Sequence, residues 1–207
     1  MQRLILGLIA ILFIVFQGIG FSQTASPATA SSAAPVSPPV FGQPGAAPML
    51  AFDIPKSDVD TLLKNAPPAV DQQLRMVDMG KYNLAVGIIH RGPTNDKPGD
   101  PITGPYHDYT AETYVILSGS GVLTTGGMMV GKKPSPNYNI LNGPGGSGTA
   151  GPGAVSRRVG PGDIIIIPAG VLHAWSQITD QVTYLSVRPD PDRTLPAGYV
   201  NPLLLKH

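Results

Sequence analysis

Imidazole changes charge near neutral pH and is the commonest side-chain ligand for divalent metals, so the histidines are the first place to seek chemistry. The 207-residue chain has four: His90, His107, His173 and His207. It has no cysteine, which excludes disulfides, thiolate zinc sites, iron–sulfur clusters and cysteine nucleophiles. Any metal must therefore be held by His, Asp or Glu. Two of the histidines fall in regularly spaced blocks. The first runs Gly99, five residues, Pro105-Tyr106-His107, four residues, Glu112, six residues, Gly119. The second runs Gly162, five residues, Pro168-Ala169-Gly170, two residues, His173, three residues, Gln177. His207 ends the chain and carries no argument.

These blocks resemble the two cupin motifs, and every spacing fits. Two positions depart from the pattern: Pro105 stands where the first histidine belongs, and Gln177 replaces the closing asparagine. The fragments Lys81-Tyr82-Asn83 and Leu141-Asn142-Gly143-Pro144-Gly145-Gly146 are also similar to a subgroup of small exported cupins. The resemblance implies an all-β, single-domain cupin-type jelly-roll β-barrel. It further implies a divalent metal ion (Fe, Mn, Zn or Ni) held by His107, Glu112 and His173. Two imidazoles and one carboxylate suit such an ion and leave open positions for water, oxygen or substrate. Tyr106, Asp108, Tyr114, Trp175 and Gln177 are close enough to shape the pocket or support the ligands. Loss of a histidine also accompanies degraded metal sites, so a metal-poor pocket stays open as the alternative. His107 and Glu112 differ by five, and the turn through Asp108-Tyr109-Thr110 must reverse the strand parity to bring them together.

His90 complicates the ligand count. Along Asn83 to Arg91, one face carries Leu84, Val86, Ile88 and His90, which predicts an inward imidazole. It would be a fourth ligand, a proton carrier beside the metal, or a ring bonded to a backbone carbonyl. Three ligands with His90 nearby is the expectation, because three donors keep more positions open.

The elements that must position these groups are short. Ser57-Asp58-Val59-Asp60 reads as the capped start of one N-terminal helix ending before Pro67-Pro68. Residues 74–77, 83–91, 113–117, 163–167 and 182–188 read as strands, with Gly92 to Tyr106 as a loop. Four consecutive isoleucines, Ile164 to Ile167, predict a strand buried on both faces. Residues 126–162 hold eleven glycines and read as one long surface loop. Gly143 to Gly148 matches a dinucleotide fingerprint by letter only, since Pro144 interrupts it and no helix can follow.

Arg3 followed by the apolar run Leu4 to Phe16 and small residues reads as a signal peptide over 1–22. Residues 23–50, rich in Ala, Ser and Pro, read as a flexible tether, leaving 51–207 as the cupin domain. A net charge of +1 gives no electrostatic footprint for nucleic acid. The expected product is secreted or periplasmic and not held in a membrane after cleavage. Its expected partner is a small molecule, and homodimer formation is a family-level expectation. Cupins include dioxygenases, isomerases, lyases and binding proteins, because a fold does not fix a reaction. The expected activity is metal-dependent chemistry on a small oxygen-rich organic molecule. The alternative is non-catalytic binding of a sugar or aromatic metabolite. N-terminal sequencing of exported material should find a first residue between about 23 and 31. A chain starting at Met49 should stay folded and monodisperse, since the tether adds no core.

Overall fold

β-branched and aromatic residues suit a pleated, half-buried surface, and the runs that carry them here form strands. The computed structural model describes residues 50–67, 71–136 and 140–205. The signal segment, nearly all of the tether and His207 lie outside the described residues. Helix α1 (Lys56–Asn65) is followed by β1 (Gln72–Asp78), β2 (Asn83–Arg91), β3 (Thr103–His107) and β4 (Glu112–Gly119). Then come β5 (Gly121–Thr125), β6 (Met129–Pro134), β7 (Gly145–Ala150) and β8 (Val155–Val159). The last strands are β9 (Ile164–Ile167), β10 (His173–Ser176) and β11 (Val182–Asp190). The class is all-β.

Every named strand pair is antiparallel. Five strands form one sheet in the order β1-β2-β11-β4-β9, and two three-stranded sheets follow the orders β10-β5-β8 and β3-β7-β6. The main core lies between the five-stranded sheet and the β10-β5-β8 sheet. Ile89, Tyr114, Ile116, Leu123, Ile165, Ile167, Val182 and Tyr184 meet there. Each such apolar side chain contributes roughly 1.5–3 kcal/mol on burial.

A second cluster fixes the sheet's other face. Leu62 of α1 is fully buried against Leu74 and Ile88, with Val86 and Leu185 alongside. The helix starts at Lys56 behind an extended Pro55, one residue before the predicted Ser57 cap. It stops at Ala66, whose extended backbone is what a following proline favours. Because α1 covers only part of the outer face, the isoleucine run alternates. Ile165 and Ile167 are buried, whereas Ile164 and Ile166 are 63% and 73% exposed. The prediction of a strand buried on both sides is corrected: β9 is an edge strand with one covered face.

The glycine-rich stretch is likewise not a loop. It supplies β6, β7 and β8, and the Gly92 to Tyr106 segment supplies all of β3 but His107. Glycine lets these strands approach where a side chain would collide. A Cβ at Gly145 would lie 2.1 Å from the Tyr106 carbonyl oxygen, and one at Gly146 would lie 2.2 Å from that of Lys133. Gly104 does the same between sheets: its Cβ would lie 2.3 Å from the His173 carbonyl oxygen on β10.

That contact sets the distance between β3 and β10, and hence between His107 and His173. Gly104→Ala should therefore destabilise the fold by about 2–3 kcal/mol through overpacking. Urea denaturation measures it, and an unchanged midpoint would show that the strands separate freely.

Candidate metal centre

Three strands bring three donors together. His107 ends β3, Glu112 opens β4 and His173 opens β10. Between the first two the chain turns, anchored by hydrogen bonds from Asp108 N–H to the Pro144 carbonyl and from Gly170 N–H to the His107 carbonyl. The turn gives the parity reversal the five-residue spacing required, and all three side chains are buried. His173 Nε2 lies 3.0 Å from Glu112 Oε2, and His107 Nε2 lies 3.8 Å from Glu112 Oε1. One ligand atom from each residue falls within 4.8 Å of the others.

The sequence reading missed the cation behind this group. Arg188, on β11, is 1% exposed and forms salt bridges with both Glu112 Oε1 and Asp71 Oδ2. Its Nη1 also donates to Asn142 Oδ1 at 3.2 Å. Ser186 Oγ donates to Glu112 Oε1 at 3.2 Å, and the Tyr114 hydroxyl donates to Oε2 at 2.9 Å. The signal was faint: Val182, Tyr184, Ser186 and Arg188 alternate along one face, but the opposite face, Thr183, Leu185 and Val187, looks equally suited to a core. Asp71 carries no signal of its own, since it precedes its strand.

Charge states follow from this packing. Burial pushes the His107 pKa down from 6.5 to about 4, despite the attraction of Glu112, so its ring is neutral at pH 7. Burial opposes ionisation of Glu112, but the Arg188 guanidinium and the His173 contact outweigh it and hold the carboxyl well below its usual range. Burial and the Glu112 charge push Tyr114 well up, so its hydroxyl stays a donor. For His173 the partner decides the tautomer. Nδ1 lies 3.0 Å from the Val171 carbonyl, which can only accept, so Nδ1 carries a proton. Unless it too is protonated, Nε2 turns a lone pair toward Glu112 Oε2. In that tautomer two acceptors face one another at 3.0 Å, a gap suited to a cation.

The donor set fits a divalent metal. With both rings neutral, Asp71, Arg188 and Glu112 sum to one negative charge. Asp71 supplies Arg188 with its own counter-charge, so Glu112 keeps charge available for a second cation.

The other predicted residues divide. Tyr114 supports Glu112, and Trp175 faces the core, its Nε1 donating to the Tyr184 hydroxyl at 3.2 Å. Tyr106 is buried beside Gly146, with Lys132 Nζ 4.3 Å from its ring centre. Asp108 is exposed and faces Lys132 across 3.9 Å. Gln177 is exposed with φ 49°, its N–H donating to Asp96 Oδ2. Alternation ends at Ser176, which corrects the pocket position given to Gln177. Asparagine tolerates such a left-handed backbone better than glutamine. His90 is exposed, and Nδ1 bonds Thr183 Oγ1 at 2.8 Å. Its inward prediction is corrected, because the Leu84, Val86, Ile88 face lies under α1 and the inward face carries Ala85, Gly87 and Ile89.

Two cavities flank β3. One, of about 380 Å³, is lined by Arg91, Thr94, Pro105, His173, Trp175 and Ile178. The other, of about 370 Å³, is lined by Pro105, Tyr106, His107, Lys133, Asn142 and Ser147. Pro105, in the place of the motif's first histidine, borders both.

No family model and no curated protein matches the chain. Among solved structures, the Bacillus halodurans protein BH2720 is similar at 16% identity and a TM-score of 0.42, covering 78% of this chain and 98% of that one. A Klebsiella pneumoniae protein with a double-stranded β-helix domain is similar at 16% identity and a TM-score of 0.36, covering 64% and 89%. A third, provisionally described as a sugar phosphate isomerase from Acidithiobacillus ferrooxidans, is 18% identical with a TM-score of 0.29. The match there covers 51% of this chain and about half, 49%, of the other. With both motifs placed on adjoining strands, the resemblance to small cupins holds at the level of fold.

Proposed function

We propose that this chain is an exported cupin that binds one divalent metal ion through His107, Glu112 and His173 and acts on a small oxygen-rich organic molecule. The observation that carries the reading is the convergence of three buried donors, with His173 Nε2 and Glu112 Oε2 directed at one another. A metal held there supplies Lewis-acid polarisation at a substrate oxygen. Arg188 and Ser186 fix Glu112 through Oε1, which leaves Oε2 as the ligand oxygen. Val171 holds the His173 ring in the tautomer whose Nε2 can ligate. Tyr114 keeps its proton and steadies Oε2, and Trp175 walls the adjoining cavity. Export rests on the signal-like start of the sequence, and dimer formation on the resemblance alone.

A second reading has its own support. Glu112 is already satisfied by Arg188, Ser186, Tyr114 and His173, and Pro105 removes one donor. On that reading the chain is a non-catalytic binding module, with a proton between His173 and Glu112.

Metal analysis of protein purified without tag or chelator separates the two. About one ion per chain is expected, and a metal-free chain that refuses added metal supports the binding module. His107→Ala should weaken metal binding more than about 100-fold, beyond the loss typical of a supporting residue. Glu112→Gln should do the same and also destabilise the fold by about 3 kcal/mol, because it leaves Arg188 with one carboxylate.

Acid should destabilise the metal-free protein earlier than its carboxylates alone would. His107 stays neutral in the fold down to about pH 4, while the unfolded chain takes the proton near 6.5. Its contribution is therefore intact above pH 6.5 and lost as pH falls toward 4. Glu112, held low, adds a loss below about 4.5. Between pH 7 and 4.5 the His107 share is about 2–3 kcal/mol. Urea titrations at the two pH values measure it, and His107→Asn should remove that share.

A further inference from the structure

Arg91 closes β2 on the inward face, one residue after the outward His90, and lines the 380 Å³ cavity with His173 and Trp175. Its Nε donates to the Tyr184 hydroxyl at 2.9 Å. The terminal nitrogens of its guanidinium have no partner among the described residues. The other arginines with any burial all hold a carboxylate: Arg75 holds Asp58, Arg188 holds Asp71 and Glu112, and Arg193 holds Asp78. Among the described residues Arg91 pairs with no carboxylate. Burial disfavours its charge, but the surrounding phenols and Asp71 raise its pKa, so it stays a cation.

The cavity's other polar side chains are already engaged. Thr94 Oγ1 bonds Asp96 Oδ2 and the Ile178 N–H, and Thr103 bonds Thr149. Trp175 donates to Tyr184, and His173 is held between Val171 and Glu112. The free donors are thus those of one half-buried guanidinium, a planar fork whose geometry matches a carboxylate. Around it lie the apolar walls of Pro93, Trp175 and Ile178.

We infer that the cavity takes a small organic monocarboxylate, its carboxylate on Arg91 and its body running past Trp175 toward His173. The inference deepens the proposed function and rests on it in taking this cavity as the substrate's. The anion supplies the counter-charge that the chain provides to its other buried arginines. The volume, about 380 Å³, is at the lower end for small-molecule sites.

Trp175 is the chain's only tryptophan, so its fluorescence reports occupancy of this cavity. Butyrate, butyramide and inorganic phosphate are titrated into the folded full chain, once metal-free and once with zinc. Butyrate should give a saturable change, with butyramide weaker by about 10-fold or more, the worth of a hydrogen bond to a charged group. Arg91→Gln should weaken butyrate by the same factor and leave butyramide unchanged. Equal binding of acid and amide by the unmutated chain overturns the inference, whether or not the variant folds. So does phosphate binding more tightly than butyrate, or butyrate binding that ignores Arg91→Gln. A chain that takes no zinc yet selects butyrate through Arg91 sinks the metal reading and leaves this one standing. A chain that takes zinc but fails the butyrate test does the reverse.

Discussion

Arg188 keeps its charge inside the protein, so the structure around it has to bring carboxylates from two directions. Asp71 comes from the approach to β1 and Glu112 from the start of β4, with β11 between them. Taking those charges out of water costs several kcal/mol per ion, which the ion pairs offset only where the geometry is held. The five-stranded sheet holds it. Val187 pairs with Thr113 and Ser186 with Tyr114, so Arg188, Ser186, Glu112 and Tyr114 share one inward patch. Gly87 leaves space beside them, since a Cβ there would press on Gln73. The carboxylate that would hold a metal is therefore also a member of the core's charge balance. Fold and site cannot be varied separately at Glu112.

Arg188 and Asp71 were not legible in the sequence, but the three donors and most of the five-stranded sheet were. His107, Glu112 and His173 were legible because their spacing resembles the two cupin motifs, although the strand that carries His107 was read as a loop. β2 matched its predicted bounds, and β1, β4, β9 and β11 differed only at their ends, because β-branched runs mark them. The strands rich in glycine were not legible. β7 has the sequence Gly-Gly-Ser-Gly-Thr-Ala, in which only Thr149 favours a strand, and it exists because β3 and β6 pair with it on both sides. Tertiary packing outweighs local preference there.

The error at His90 has a different cause. A strand between a helix and a core has two apolar faces, and the more apolar one need not face the core. On β2 the outer face, Val86 and Ile88, is large because α1 covers it. The inner face is small at Ala85, which packs with Met76 and Leu195, and at Gly87, where a Cβ would press on Gln73. Reading the larger stripe as inward turned the strand over. It hid Arg91 and put its exposed neighbour in its place. A one-residue slip in parity exchanges every side chain between faces.

Pro105 and Arg91 are best understood together. Proline is tolerated on β3 because the strand is at the edge of its sheet, and its ring can neither ligate a metal nor carry a proton. The three remaining donors, with Asp71 and Arg188, total one negative charge, so a bound divalent ion leaves the centre at plus one. Arg91 adds a further positive charge across the same cavity. With a divalent ion bound, an entering carboxylate would meet net positive charge from both sides; without one, only Arg91 would attract it. A third imidazole, at position 105, would add a fourth donor without changing that sum. A metal held by these three donors would be bound less tightly than by four, while the attraction for an anion would be unchanged.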